Sequence, residues 1–241
     1  MKLIGVILTY NCEKLIQKAI DKIPKNTLDE IICIDDASSD NTKSVLEKNK
    51  IPFFTHAHTG YGGNLFAGLK IAFERNATHV IEIHGDGQYD LNRIIDVKNM
   101  LQKDKNIDLI LGNRFYEYSK PLENKMGLIK FLGNIGVTFI ASVGLGIKSR
   151  DLFPGFRVYS RNFYDTLNFE KLSKFYWFSF EIIALSVFNK LKIRDIPADC
   201  DYKNEHTSMS MWNGFPFIFH TIKTVIQFRL AKIKVKTGIF K

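Results

Sequence analysis

The chain has 241 residues, 45% of them apolar and 24% charged, with three cysteines and a formal net charge of +9. That length and balance allow one sizeable core and exclude a disordered chain. Cys12, Cys33 and Cys200 are too scattered for a zinc site or a disulfide framework and suit a reducing, cytoplasmic setting.

Residues 3–8 (LIGVIL) form a continuous aliphatic run, the pattern of a strand buried on both faces. Residues 12–23 have helical spacing and are closed by Pro24 and Asn26, and 30–34 (EIICI) read as a strand ending in Asp35-Asp36. A helix with a Ser/Asp cap is predicted over 39–48 and a short strand over 53–55. A glycine-rich turn over 58–63 then feeds a helix over 64–74. Residues 79–83 are a β-branched strand running into His84-Gly85-Asp86-Gly87-Gln88, followed by a helix over 91–101 and a strand over 108–111. This alternation predicts βαβ units and a mainly parallel α/β sheet flanked by helices. Beyond residue 115 the pattern changes to a long apolar helix over 126–146 and a loop carrying Asp151 and Pro154-Gly155-Phe156-Arg157. A helix over 176–191, a strand over 193–202 and a basic amphipathic helix over 215–233 follow. The N-terminal apolar stretch is too short for a secretory signal. The longest apolar run, 131–147, is interrupted by Asn134 and glycines.

In an open parallel sheet, ligands bind beyond the carboxyl ends of the strands. Polar residues gather at four such ends: Tyr10 and Asn11, Asp35 and Asp36, Asp86 and Gln88, and Asn113 with Arg114. Asp35 and Asp36 can accept from a base or a ribose hydroxyl, though helix capping competes as an explanation. Around Asp86 the oxygen ligands suit Mg²⁺ or Mn²⁺ bridging diphosphate oxygens, and Gly85 and Gly87 permit close approach. A plain Gly/Asp turn is the simpler alternative. The segment Thr59-Gly60-Tyr61-Gly62-Gly63-Asn64 could present helix N-terminal N–H groups to a phosphate, but it is neither G-x-G-x-x-G nor a P-loop, and a tight turn explains it as well. Arg114 and Arg157 are candidates to fork a phosphate, with salt bridges as the competing role. His84 is open between ligand, phosphate donor and structural roles. The positive charge suits nucleotide phosphates, nucleic acid or an anionic membrane and does not choose among them. No nucleic-acid motif is present.

In order, TYN, IDDASSDNT, HTGYGGN, HGDGQYD, GNRF and PGFRVYS resemble the family 2 glycosyltransferases of the GT-A fold, in the branch of dolichol-phosphate-mannose synthases, over about residues 2–205. The resemblance implies a single GT-A domain over 1–205, with a nucleotide-sugar half at 1–115, an acceptor half at 116–205 and a basic tail at 206–241. It places Leu8, Tyr10, Cys12, Asp35, Asp36, Gly63, His84 and Arg114 around the donor. It gives Asp86 and Gln88 to the metal, and sets Arg157, Asp151 and Glu181 with Asp86 in the catalytic region. Three positions depart from the pattern: His84 replaces the first Asp of D-x-D, Leu8 a common proline and Cys12 a common glutamate. The usual basic loop is matched only loosely, by Lys203 and His206.

The implied reaction is an inverting transfer from a nucleotide-diphosphate sugar, GDP- or UDP-linked, to a polyprenyl or dolichyl phosphate or a glycan precursor. A lipid phosphate is already ionised and needs no general base, whereas a sugar hydroxyl needs one, for which Asp151 and Glu181 are the candidates. The aromatic and basic stretch 212–236 fits a helix lying on an anionic membrane at its cytoplasmic face, with core packing or a homodimer contact as the alternative. A nucleotide-sugar-binding protein without activity, motivated by His84, and a sugar-nucleotidyltransferase are the competing functions.

Overall fold

The computed structural model describes residues 1–203 and 211–240, so His206 lies outside the described residues. The strands are β1 (Leu3–Thr9), β2 (Glu30–Asp35), β3 (Phe53–Thr55), β4 (His79–His84), β5 (Leu109–Asn113), β6 (Arg157–Ser160) and β7 (Ile193–Pro197). The helices are α1 (Ile16–Asp21), α2 (Thr42–Lys48), α3 (Gly60–Glu74), α4 (Arg93–Lys103), α5 (Lys120–Glu123), α6 (Leu128–Leu145), α7 (Arg161–Thr166), α8 (Phe178–Phe188) and α9 (Met211–Lys232).

The seven strands form one sheet in the order β3-β2-β1-β4-β6-β5-β7. All neighbouring pairs are parallel except those of β6, which runs antiparallel to both β4 and β5. Every residue of β1 is buried. Ile4, Val6 and Leu8 point into one apolar cluster, with α3, α8 and part of α9; Leu3 and Ile7 point into the other, with α4 and the start of α1. A strand covered on both faces has no room for a polar side, which is why LIGVIL lacks alternation.

Strand β7 ends at Pro197, short of the expected residue 202, and two further differences bear on the site. Residues 154–157 do not all lie in a loop, because Arg157 opens β6. The strand is four residues long and alternates Arg157-Val158-Tyr159-Ser160, a pattern that polar residues disguise. The glycine turn over 58–63 is instead largely the first turn of α3, which begins at Gly60. It can begin there because Asp36, at the end of β2, accepts hydrogen bonds from the N–H groups of Thr59 (2.7 Å) and Gly60 (2.9 Å). A cap supplied from another loop satisfies the orphan donors of the helix start.

Candidate active site

The loops after β1 and β2 are laced together at the carboxyl edge of the sheet. Asn11 sits in the left-handed region (φ 48°) and its side chain accepts from the Ser39 N–H at 2.8 Å, while its own N–H donates to Ser38 Oγ. Thr42 Oγ1 accepts from Cys12 N–H, and Asp40 accepts from Glu13 N–H. Asp35 is fully buried and accepts from the Thr9 hydroxyl and Ser38 N–H. Asp36 serves the start of α3 and lies 2.9 Å from His58 Nδ1. Both acids, expected at the base and ribose, are thus already bonded within the protein. The exposed surface beside them is Tyr10, 47% exposed, whose ring lies 4.6 Å from that of His58. An aromatic face of this kind is one on which a base can stack. Asp36→Ala is expected to cost about 1–2 kcal/mol, the upper part of the range for a lost N-cap, read as a lower melting temperature.

Leu8 and Cys12 are buried beneath this edge rather than open to a ligand. Burial pushes the Cys12 thiol up to about 12 and the Cys200 thiol up to about 11, and raises that of Cys33 as well. All three are therefore neutral thiols at ordinary pH. Alkylation at pH 8 is expected to label none of them until the protein is unfolded, which mass spectrometry would check.

Gly62 and Gly63, at the start of α3, donate their N–H groups to the carbonyl of Lys174 at 2.8 and 3.3 Å. Those groups hold a neighbouring segment and are not turned to a phosphate, so Gly63 is placed as a packing residue. A Cβ on Gly62 would lie 2.8 Å from the Ser173 carbonyl oxygen and 2.7 Å from Phe178. Gly62→Ala is accordingly expected to destabilise by about 1–3 kcal/mol through overpacking, measured by denaturant titration.

The turn after β4 brings Asp86 to the sheet edge. Gly85 passes so close to β1 that a Cβ would meet the Leu8 carbonyl oxygen at 2.9 Å, and Gly87 adopts φ +62° against Ala19. Asp86 accepts the Gln88 N–H at 3.0 Å through one carboxylate oxygen, and the Nε2 of Gln88 is buried without a partner among the described residues. No group of three or more His, Cys, Asp or Glu side chains that could hold a metal occurs among the described residues. One carboxylate with a neighbouring amide fits a hard cation that arrives with diphosphate oxygens and water, rather than one caged by protein alone.

Behind Asp86 lies a buried polar network that the sequence reading missed. Glu82 Oε1 is 3.1 Å from His84 Nε2 and accepts from the Tyr61 hydroxyl, while Glu82 Oε2 accepts from the Tyr159 hydroxyl at 2.6 Å. Arg157 is register partner to Glu82 across β4 and β6 and only 1% exposed. It donates to Ser179 Oγ at 3.4 Å and lies 5.8 Å from the ring centroid of Phe178. Burial alone would favour neutral forms throughout. The His84 bond and the Arg157 charge outweigh it at Glu82, holding that carboxyl below its usual value, and Glu82 in turn holds His84 above its own. Burial and the Glu82 charge push both tyrosines well up, so they act as neutral donors. The carboxylate is therefore the anion at the centre, and His84 turns its Nε2 toward it. The available signal was the acid itself, set within the aliphatic run VIEI of β4.

The remaining candidates form two pairs. The Arg114 guanidinium meets both oxygens of Asp151, at 2.7 and 2.9 Å, and also donates to Tyr202, Asn134 and the Phe153 carbonyl. Its fork is filled, so the structure places it as the partner of Asp151 and not as a phosphate clamp. Asp151, expected as a candidate base, is 1% exposed and its carboxylate is engaged by Arg114. Glu181, in the first turn of α8, accepts from Ser173 N–H and lies 2.8 Å from His220 Nε2 on α9.

A mainly parallel sheet with one reversed strand and a carboxylate turn after β4 matches the GT-A fold of nucleotide-sugar-dependent glycosyltransferases. The chain belongs to Glycosyl transferase family 2, whose family pattern matches residues 6–167. It is 29% identical over 233 residues to a UDP-N-acetylglucosamine–dolichyl-phosphate N-acetylglucosaminyltransferase of Methanococcus voltae, covering 88% of this chain and 90% of the relative. It is 23% identical over 212 residues to an undecaprenyl-phosphate mannosyltransferase of Micrococcus luteus, covering 82% of each. In fold it matches glucosyl-3-phosphoglycerate synthase from Mycobacterium tuberculosis in complex with UDP, with a TM-score of 0.68, 16% identity, and 98% of this chain and 82% of that one covered. The same synthase has been crystallised with Mn²⁺ and with Mg²⁺. Family membership sets aside the nucleotidyltransferase reading.

Proposed function

We propose that this glycosyltransferase moves a sugar from a UDP-linked donor to a polyprenyl or dolichyl phosphate, with inversion at the anomeric carbon. The observation that carries the acceptor class is the engagement of both base candidates. Asp151 is closed on Arg114 and Glu181 on Ser173 and His220. A hydroxyl acceptor needs a base within reach. A phosphate monoester arrives ionised and needs only position and charge stabilisation. The relative from Methanococcus, named for a uridine donor and a dolichyl phosphate acceptor, supports the same choice.

In this scheme an acceptor phosphate oxygen attacks the sugar C1 while the C1–oxygen bond to the nucleoside diphosphate breaks. The Tyr10–His58 face receives the base. Asp86, with Gln88, would hold Mg²⁺ or Mn²⁺, which when bound neutralises charge on the departing diphosphate. Arg157 adds positive charge beside that turn, and the His84 ring is oriented there by Glu82. The test is transfer of radiolabelled sugar from UDP- and GDP-linked donors to a polyprenyl phosphate, set against the matching polyprenyl alcohol. Product from the phosphate alone and from the uridine donor is expected. Equal transfer to the alcohol would overturn the acceptor class, and transfer from the guanosine donor only would overturn the base.

A further inference from the structure

Helix α6 carries Leu128, Ile129, Leu132, Phe139, Ile140 and Val143 exposed along its length. At 100° per residue these six fall within an arc of about 120°, one continuous apolar stripe. Its opposite face, including Val137, Ala141 and Leu145, is buried. Helix α9 repeats the pattern. Phe215, Phe219, Ile226 and Leu230 are exposed within an arc of about 60°, and Lys223 and Arg229 fall on either side. Phe139 and Phe219 are 69% and 71% exposed, far beyond the scattered apolar residues of an ordinary surface.

The two helices pack on each other. Gly144 of α6 sits against Val225 of α9, and Arg229 donates to the Val143 carbonyl at 2.8 Å. Arg229, flanking the α9 stripe, thus reaches the backbone of Val143, a member of the α6 stripe, so the two helices meet along one edge of the apolar surface. Exposed cations border the surface: Lys125 before α6, Lys148 and Arg150 after it, and Lys232, Lys234 and Lys236 at the end of α9.

We propose that α6 and α9 together form a platform that lies in the plane of an anionic lipid bilayer, with both stripes among the acyl chains and the lysines and arginines at the headgroups. Alpha6 is long and apolar enough to cross a membrane by composition, yet its inner face is packed against the protein, so lying flat is the arrangement that keeps both contacts. The cationic border selects anionic lipid over a second copy of the chain, because a symmetric dimer through this face would oppose like charges. The platform stands on the surface alone, independently of the donor and acceptor proposed above.

The test is co-sedimentation of the full chain with vesicles of phosphatidylcholine, with and without phosphatidylglycerol. The variants are Leu132→Glu/Phe139→Glu on α6 and Phe219→Glu/Ile226→Glu on α9. Exposed positions tolerate charge, and an unchanged thermal shift on adding UDP would verify that each variant is folded. The native protein is expected to bind the anionic vesicles at least tenfold better than the neutral ones, and each variant to lose about tenfold or more. Native protein left in the supernatant with anionic vesicles would overturn the platform, as would an α6 variant that sediments like the native chain. A stable dimer in light scattering, made monomeric by the α6 variant, would overturn it in favour of self-association. Loss of the UDP shift in the native protein with vesicle binding intact would sink the proposed function and leave the platform standing.

Discussion

Asp86→Ala is expected to lower kcat of sugar transfer by about a hundredfold to a thousandfold, and to abolish any metal-dependent stabilisation by UDP. The argument rests on how little else is available at that place. Asp86 is the carboxylate at the turn after β4, and no metal-holding cluster of three acids, histidines or cysteines exists among the described residues. Removing a single group that stabilises developing charge costs on the order of 10²–10³ in rate in other enzymes. The turn itself would lose one hydrogen bond, Asp86 to Gln88 N–H, about 1 kcal/mol. The variant should therefore stay folded, and its melting temperature without nucleotide separates the chemical loss from a structural one. A variant that keeps native kcat and a native Mn²⁺ response would remove Asp86 from the site.

Glu82→Leu is expected to have the largest effect on stability, about 3–5 kcal/mol, the cost of leaving buried charge uncompensated. In a chain of this size that corresponds to roughly 6–20 °C in melting temperature. Three groups depend on this one carboxylate: the hydroxyls of Tyr61 and Tyr159 and the His84 ring. Arg157, beside it, is buried and has an Nε without a partner among the described residues. Replacement by Gln keeps the shape and one of the two acceptor oxygens, so a smaller loss is expected than for Leu. Thermal denaturation of both variants would check the order, and a Leu variant as stable as the native protein would show that Glu82 is not the counter-charge.

The part of the fold that repeats strand and helix was legible because burial imposes a period. LIGVIL, EIICI and the run ending at His84 could only be strands covered on two faces, and they are β1, β2 and β4. Strand β6 was not legible, since Arg157 and Tyr159 occupy buried positions on one of its faces and their suitability depends on Glu82 across the sheet. A residue whose partner lies 75 positions away carries no local signal. The same reason explains Asp36, which reads equally well as a ligand group or as a cap until the start of α3 is seen to end against it. Asp151 and Arg114 stand in the same relation: each was noticed as a charged residue in a loop, and only folding reveals that they meet. Asp86 stands out in the sequence because glycines on both sides mark a place where the backbone must come close to something, although it is β1 and Ala19 that they approach.

The reversed strand also bears on how the chain is made. Strand β6 separates β4 from β5, so the middle of the sheet cannot close until residue 160 has left the ribosome. Until then Glu82 has no Arg157 opposite it and the edge of β4 is an open template, the kind of exposed strand that invites aggregation. A nascent chain ending near residue 115 is thus expected to be sensitive to protease and retained by chaperones, with protection appearing abruptly once β6 emerges. Residues 1–115 are then a region of the finished enzyme and not a stage on the way to it.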